Sequence, residues 1–210
     1  DDAGNTSEVA FVDRFFPKPL HRDTIALADA FLAKAVPEIR AQTPALEDRG
    51  SLLENYLQIN RDLRKKNAEE LAALGARSAG AFLWTEPFLP LRNAKVMSAF
   101  ADQRTYVYQG KDVDAQPHLG FDLAVVARTP VPAANRGVVL LARYFGIYGN
   151  TVVVDHGLGL ATLYSHLSSI EVAEGQAVEQ GTILGHTGAT GLAGGDHLHF
   201  TTLVHGMPVN

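Results

Sequence analysis

From about residue 81 to the C-terminus, glycine cuts the chain into short runs rich in valine, threonine and aromatic residues, and this punctuation narrows the accessible folds more than any other feature. The runs are AKVMSAF, RTYVYQG, FDLAVV, GVVLLARY, NTVVVDHG, ATLYSH, AVEQGTILG and HLHFTTLV. No helical pattern separates them, which disfavours a parallel sheet with crossover helices and predicts an antiparallel sandwich or barrel-like domain. The glycines of GLGL, GIYG and GATGLAGG fall between the runs and permit turns. Neither GxGxxG nor GxxxxGK[ST] occurs, so no phosphate-cradling loop is indicated.

The first 80 residues follow a different period. After Pro17 and Pro19, the residues Ile25, Ala28, Phe31, Leu32, Ala35 and Ile39 recur at helical spacing, with Pro37 expected to kink or divide the helix. Ser51 and Glu54 have capping-box spacing at the start of a second apolar stripe that runs from Leu52 through Tyr56 and Leu63 to Leu74. The run RDLRKKNAEE within it reads as a solvated face. The fold class expected is therefore α+β, with a helical accessory or support region over residues 1–80 ahead of the strand-rich part.

Charge and composition remove several function classes. Eighteen basic residues stand against 23 acidic ones, a formal charge of -5, so there is no basic excess to hold a nucleic acid. Cysteine is absent, which excludes thiol nucleophiles, disulfide scaffolds and Cys-ligated metal. Any metal must be held by histidine and carboxylate. No apolar stretch reaches transmembrane length. The chain begins DDAGNTSEVAF, with neither an initiator methionine nor a basic leader, the pattern expected of a mature or trimmed product.

Of the eight histidines, only His21 lies in the first 80 residues. Two short patterns carry chemistry: His118 four residues before Asp122, and His197 two before His199. Residues two apart on a strand face the same side, so both imidazoles of HLH can converge on one point, and a single metal there can use one or both. Two neutral imidazoles and one Asp make a borderline-hard donor set suited to zinc, with room for water in a fourth position. His166, in the LYSH run, offers a non-ligand imidazole beside such a metal if it points into the same cleft, the alternative being a satisfied surface or core histidine. His156 reads as structural, and His186 and His205 as turn residues.

At these residues the chain resembles the lysostaphin-type (LytM-like) zinc metallopeptidases of bacterial cell walls. The resemblance covers roughly residues 88–210 and rests on HLGFD, PVPAANRGVV, YGNTVVVDHGLGLATLYSHLSSI, VAEGQAVEQGTILGHTGATG and GGDHLHF in the family's order. It implies a Zn2+ bound by His118, Asp122 and His199, with His166 and His197 as the non-ligand catalytic histidines. It also implies a groove-shaped antiparallel domain over 88–210 that hydrolyses stem or cross-bridge peptides of peptidoglycan in the bacterial envelope, in the periplasm or otherwise exported. An envelope regulatory partner fits the same resemblance, as does a second reading in which an inactive fold-mate binds peptidoglycan or activates another hydrolase. Where relatives commonly carry an acid after HLHF, this chain has Thr201 and Thr202. The VAEGQAVEQGTILG segment also resembles biotinyl and lipoyl hairpins, but those need a tip lysine and residues 144–210 contain none.

Overall fold

The computed structural model describes residues 21–210. Strand β1 (Arg22–Ala26) precedes helices α1 (Asp29–Gln42), α2 (Leu52–Gln58) and α3 (Arg64–Gly75), with one π-helical turn, Ile59–Leu63, joining the last two. The strands that follow are β2 (Lys95–Ser98), β3 (Gln103–Tyr108), β4 (Lys111–Pro117), β5 (Phe121–Ala124), β6 (Pro130–Pro132), β7 (Gly137–Tyr144) and β8 (Asn150–Gly157). The chain continues with β9 (Leu160–Leu167), β10 (Ser169–Ile170), β11 (Ala177–Val178), β12 (Ile183–His186), β13 (Leu198–Val204) and β14 (Met207–Val209). The expected α+β class, strand-rich and antiparallel after a helical region, is what the chain adopts.

The large sheet runs β11-β7-β8-β9-β13-β5-β2, with β14 paired to β13, and does not close into a barrel. Two three-stranded sheets, β1-β3-β4 and β10-β12-β6, flank it. Val131, Val139, Val152, Val154, Tyr164, Leu184 and Leu198 form one core, and their alternation along the strands reflects the two-residue strand period. The helices seal the other side. Leu32, Val36, Ile39, Tyr56, Ile59 and Leu63 pack with Tyr106 and Ile147, while Leu71 and Leu74 pack with Leu140, Phe145, Leu163 and Leu203.

Three local expectations need correction. The N-terminal region is not purely helical: Arg22–Ala26 is a strand paired in parallel with β3, Arg22 opposite Gln103. Its partner lies some eighty residues away, and Ile25 fits a helical stripe equally well when only neighbours are read. Pro37 does not divide α1, which runs unbroken from Asp29 to Gln42 because buried Leu32, Ala35, Val36 and Ile39 hold both sides of the lost hydrogen bond on one apolar face. The run RDLRKKNAEE is not wholly a solvated face, since Asn60 and Leu63 just upstream and within it are buried and Arg61 is drawn to Asp114 of β4 at 3.1 Å. Ser51 does cap α2, accepting from the Glu54 N–H at 3.1 Å. Readings that fall on residues 1–20, Pro17 and Pro19 among them, lie outside the described residues.

Candidate metal centre

Strand register brings the candidate ligands together. On β13, His199 is the direct antiparallel partner of Asp122 on β5, so both side chains rise from the same face of the sheet. His118 stands at the end of β4, where its N–H donates to Asp102 O and its carbonyl accepts from Ala101 N. Gly120, two residues on, lets the loop pass under the site. A Cβ there would fall 2.5 Å from Thr201 Oγ1 and 2.7 Å from His199 Nε2.

His118 Nε2, Asp122 Oδ1 and His199 Nδ1 are mutually 3.0 Å apart, and among the described residues these three side chains form a group able to hold a metal ion. The other nitrogen of each imidazole is tied back. His118 Nδ1 lies 3.0 Å from Ala99 O and 3.2 Å from Ser98 Oγ, and Ser98 in turn donates to Asp102 Oδ2 at 3.0 Å. His199 Nε2 lies 3.0 Å from Thr201 Oγ1, whose hydroxyl donates to Leu119 O at 2.9 Å. These bonds select the tautomers that turn a lone pair from each ring toward the common point.

The donor set fits a metal. Burial, opposed by the Asp122 carboxylate, pushes His199 down to about 4, so the ring is neutral and competent as a ligand at neutral pH. At Asp122 burial favours the protonated acid, but the surrounding imidazoles of His118, His197 and His199 together outweigh it and hold the carboxyl well below the usual carboxylate range. Arg104 of β3 donates to Asp122 Oδ2 at 2.5 Å, leaving Oδ1 as the oxygen directed at the histidines.

The remaining predicted residues lie in the same groove. His197 Nε2 stands 3.4 Å from Asp122 Oδ1, farther than either His118 or His199, and its Nδ1 donates to Gly195 O at 2.8 Å. His166 and His197 have ring centroids 4.9 Å apart. His166 reaches the groove through a bulge. Asn150 pairs with Leu167 and Val152 with Tyr164, so β9 carries one extra residue there, and His166 takes a φ of 62°. Its Nδ1 donates to Thr190 O at 2.8 Å, which leaves Nε2 free, and burial with repulsion from His197 and His199 holds it well below an ordinary histidine. His156 is fully buried between Arg136 O and Thr162 Oγ1, in line with a structural role. A cavity of about 440 Å³ connects these groups and is lined also by Ile25, Leu27 and Phe31.

Arg104, Ser98 and Asp102 were not singled out by sequence reasoning, because no fixed spacing links them to Asp122 and His118, the residues they hold. Thr201 was marked only as a departure. Replacing it by Val keeps its shape but frees the His199 ring to rotate, and we expect metal affinity to fall about tenfold with the fold retained; equilibrium competition with a chromogenic chelator measures this directly, and unchanged affinity would show that packing alone orients the ring.

An antiparallel sheet thus brings two imidazoles and one carboxylate into a groove, with two further imidazoles beside them, a donor group able to hold one metal ion. Residues 116–210, a little under half of the chain, match the sequence model of peptidase family M23. The chain is 43% identical over 93 residues to the DD-carboxypeptidase/endopeptidase Mpg of Neisseria meningitidis, which is 44% of this chain and 21% of that protein. It is 45% identical over 94 residues to the peptidoglycan DD-endopeptidase ShyA of Vibrio cholerae, 45% of this chain and 22% of the relative. The matched part thus spans about a fifth of the length of these relatives. Among solved structures, a zinc containing peptidase from Vibrio cholerae superposes with a TM-score of 0.51 at 33% identity, covering 60% of this chain and 38% of the other. A candidate M23 peptidase from Pseudomonas aeruginosa gives 0.52 at 33% identity, covering 70% and 57%.

Proposed function

We propose that the chain is a zinc-dependent endopeptidase that hydrolyses stem or cross-link peptides of bacterial peptidoglycan, acting in the cell envelope as an exported protein. The observation that carries this reading is the meeting of His118 Nε2, Asp122 Oδ1 and His199 Nδ1 at mutual distances of 3.0 Å in a groove that also holds His166 and His197. The match of residues 116–210 to the M23 family model and the peptidoglycan DD-endopeptidase relatives support the substrate class. Two imidazoles and a carboxylate suit zinc over softer or harder ions. No helix among the described residues is long and apolar enough to cross a membrane.

In this reading His118, Asp122 and His199 hold the metal, which when bound supplies Lewis acidity to the scissile carbonyl. Arg104 fixes the Asp122 carboxylate by its second oxygen, and Thr201 and Ser98 fix the two imidazoles. His166, neutral and with Nε2 free, accepts the proton of the attacking water. His197, beside it, donates to the charge that develops on the carbonyl oxygen and returns a proton to the leaving amine. Residues 88–210 form the catalytic unit and residues 1–80 support it. That support reaches His166: Lys34 of α1 donates to Ala189 O at 2.6 Å and Glu38 accepts from Gly191 N at 2.7 Å, bracketing the Thr190 carbonyl that holds His166.

The test is digestion of purified sacculi, with fragments identified by mass spectrometry. Chelator-sensitive release of new peptide amines with intact sugar linkages is expected, whereas glycan fragments alone would overturn the reaction class. His166→Ala and His197→Ala are each expected to keep the metal and lose ~10² or more in rate. Full turnover by either protein would remove its assigned role, and metal loss in His197→Ala would mean that the other histidine of HLH is the ligand.

A further inference from the structure

The groove contains a cation that the chemistry at the metal centre does not use. Arg64, the first residue of α3, lines the same cavity as His118, Asp122, His166 and His199. Of the residues lining that cavity, Asp122 alone carries a carboxylate, and its free oxygen is taken by Arg104. Among the described residues Arg64 has two hydrogen bonds, both to Asn60: Nε to the carbonyl at 3.0 Å and Nη2 to the side-chain Oδ1 at 2.6 Å. Those acceptors are neutral and fix the guanidinium without compensating its charge. Three of its five N–H donors remain.

The mounting is specific. Asn60 is fully buried, and its Nδ2 donates to Asp114 Oδ2 at 2.8 Å, so the amide that grips Arg64 is itself held. Asp114 is meanwhile engaged by Arg61 at 3.1 Å. Asn60 and Arg61 belong to the π-helical turn Ile59–Leu63, which shifts the helix register just before Arg64. Such turns recur at functional sites because they re-aim side chains at a cost in helix regularity. Ile25, Leu27, Phe31 and Leu192 line the cavity too, an apolar setting that strengthens a charge-assisted bond. An arginine fork held in this way matches a carboxylate in two-point geometry.

We propose that Arg64 is a substrate-binding residue that receives a free carboxylate of the peptide, so that the groove selects anionic peptides over uncharged or amidated ones. This rests on the peptidase reading above and deepens it by naming what the peptide must carry.

The test uses the full zinc-loaded chain and two synthetic cross-linked peptides that differ only in a carboxylate or a carboxamide beside the scissile bond. Wild-type protein is expected to favour the carboxylate by about tenfold or more in kcat/KM, chiefly through KM, the size expected of one charge-assisted bond. Arg64→Gln should bring the ratio of the two substrates close to one, and Arg64→Lys should retain part of the preference. Circular dichroism and zinc content confirm that the variants are folded and loaded. Calorimetric binding of the same peptides to His166→Ala protein separates the two claims. Selective binding without turnover in wild type would sink the peptidase reading and leave the subsite standing; turnover with no preference, or with a preference that Arg64→Gln leaves intact, would overturn the subsite alone.

Discussion

Asp122→Ala is expected to abolish metal retention and with it hydrolysis. Asp122 provides the one formal negative charge among the three proposed ligands, and its Oδ1 lies 3.0 Å from the facing nitrogens of both His118 and His199. Loss of a residue that merely orients a ligand typically weakens metal binding 10–100-fold, so loss of the ligand itself should exceed about 10². A second effect follows from Arg104. Its guanidinium is four-fifths buried and bonded to Asp122 Oδ2, and its Nε is buried with no partner in the structure. Removing the carboxylate strands a mostly buried cation, a change that costs on the order of 3–5 kcal/mol in comparable pairs. The variant should therefore show a lower Tm even when wild type is compared after chelation. Asp122→Ala,Arg104→Met should recover much of that Tm without recovering the metal. Metal content equal to wild type in Asp122→Ala would show that the ion is held elsewhere.

How far the sequence anticipates this arrangement depends on the range over which each feature is specified. The short β runs were readable because side-chain alternation and glycine turns are local, and they correspond to β2, β3, β5, β7, β8, β9, β12 and β13. β4, KDVDAQP, escaped because four of its seven residues are charged or polar and its partner β3 is what makes it a strand. β1 escaped for the same reason at longer range. The site divides in the same way. HxxxD and HxH mark themselves by spacing, and the structure brings all five singled-out residues into one groove. Arg104, Asp102 and Arg64 are ordinary charged residues in sequence; only the β1–β3–β4 sheet and the π-helical turn place them near the histidines. A run such as RDLRKKNAEE carries no mark that tells a residue turned to solvent from one turned into a cleft.

A chain that begins near Phe88 is expected to fail to fold, although it retains every candidate ligand. The truncation removes β1 and all three helices. Leu32, Val36, Ile39, Tyr56, Ile59 and Leu63 leave the core they share with Tyr106 and Ile147, and Leu71 and Leu74 leave the one they share with Leu140, Leu163 and Leu203. Each large apolar side chain that passes from buried to exposed costs roughly 1.5–3 kcal/mol, so uncovering five of those left behind approaches the whole stability of a domain, about 5–15 kcal/mol. Loss of β1 also bares the edge of β3, inviting association between chains. Near the site, Ala189, Gly191 and Ala193 lose Lys34 and Glu38, so the carbonyl of Thr190 no longer has a fixed place from which to hold His166. Circular dichroism melting and size-exclusion chromatography should show a truncated protein that is aggregated or without a cooperative transition. A soluble, cooperatively melting truncation that cleaves sacculi faster than the full chain would reverse the assignment: residues 1–80 would then be an obstruction over the groove, with Ile25, Leu27 and Phe31 as the residues that narrow it.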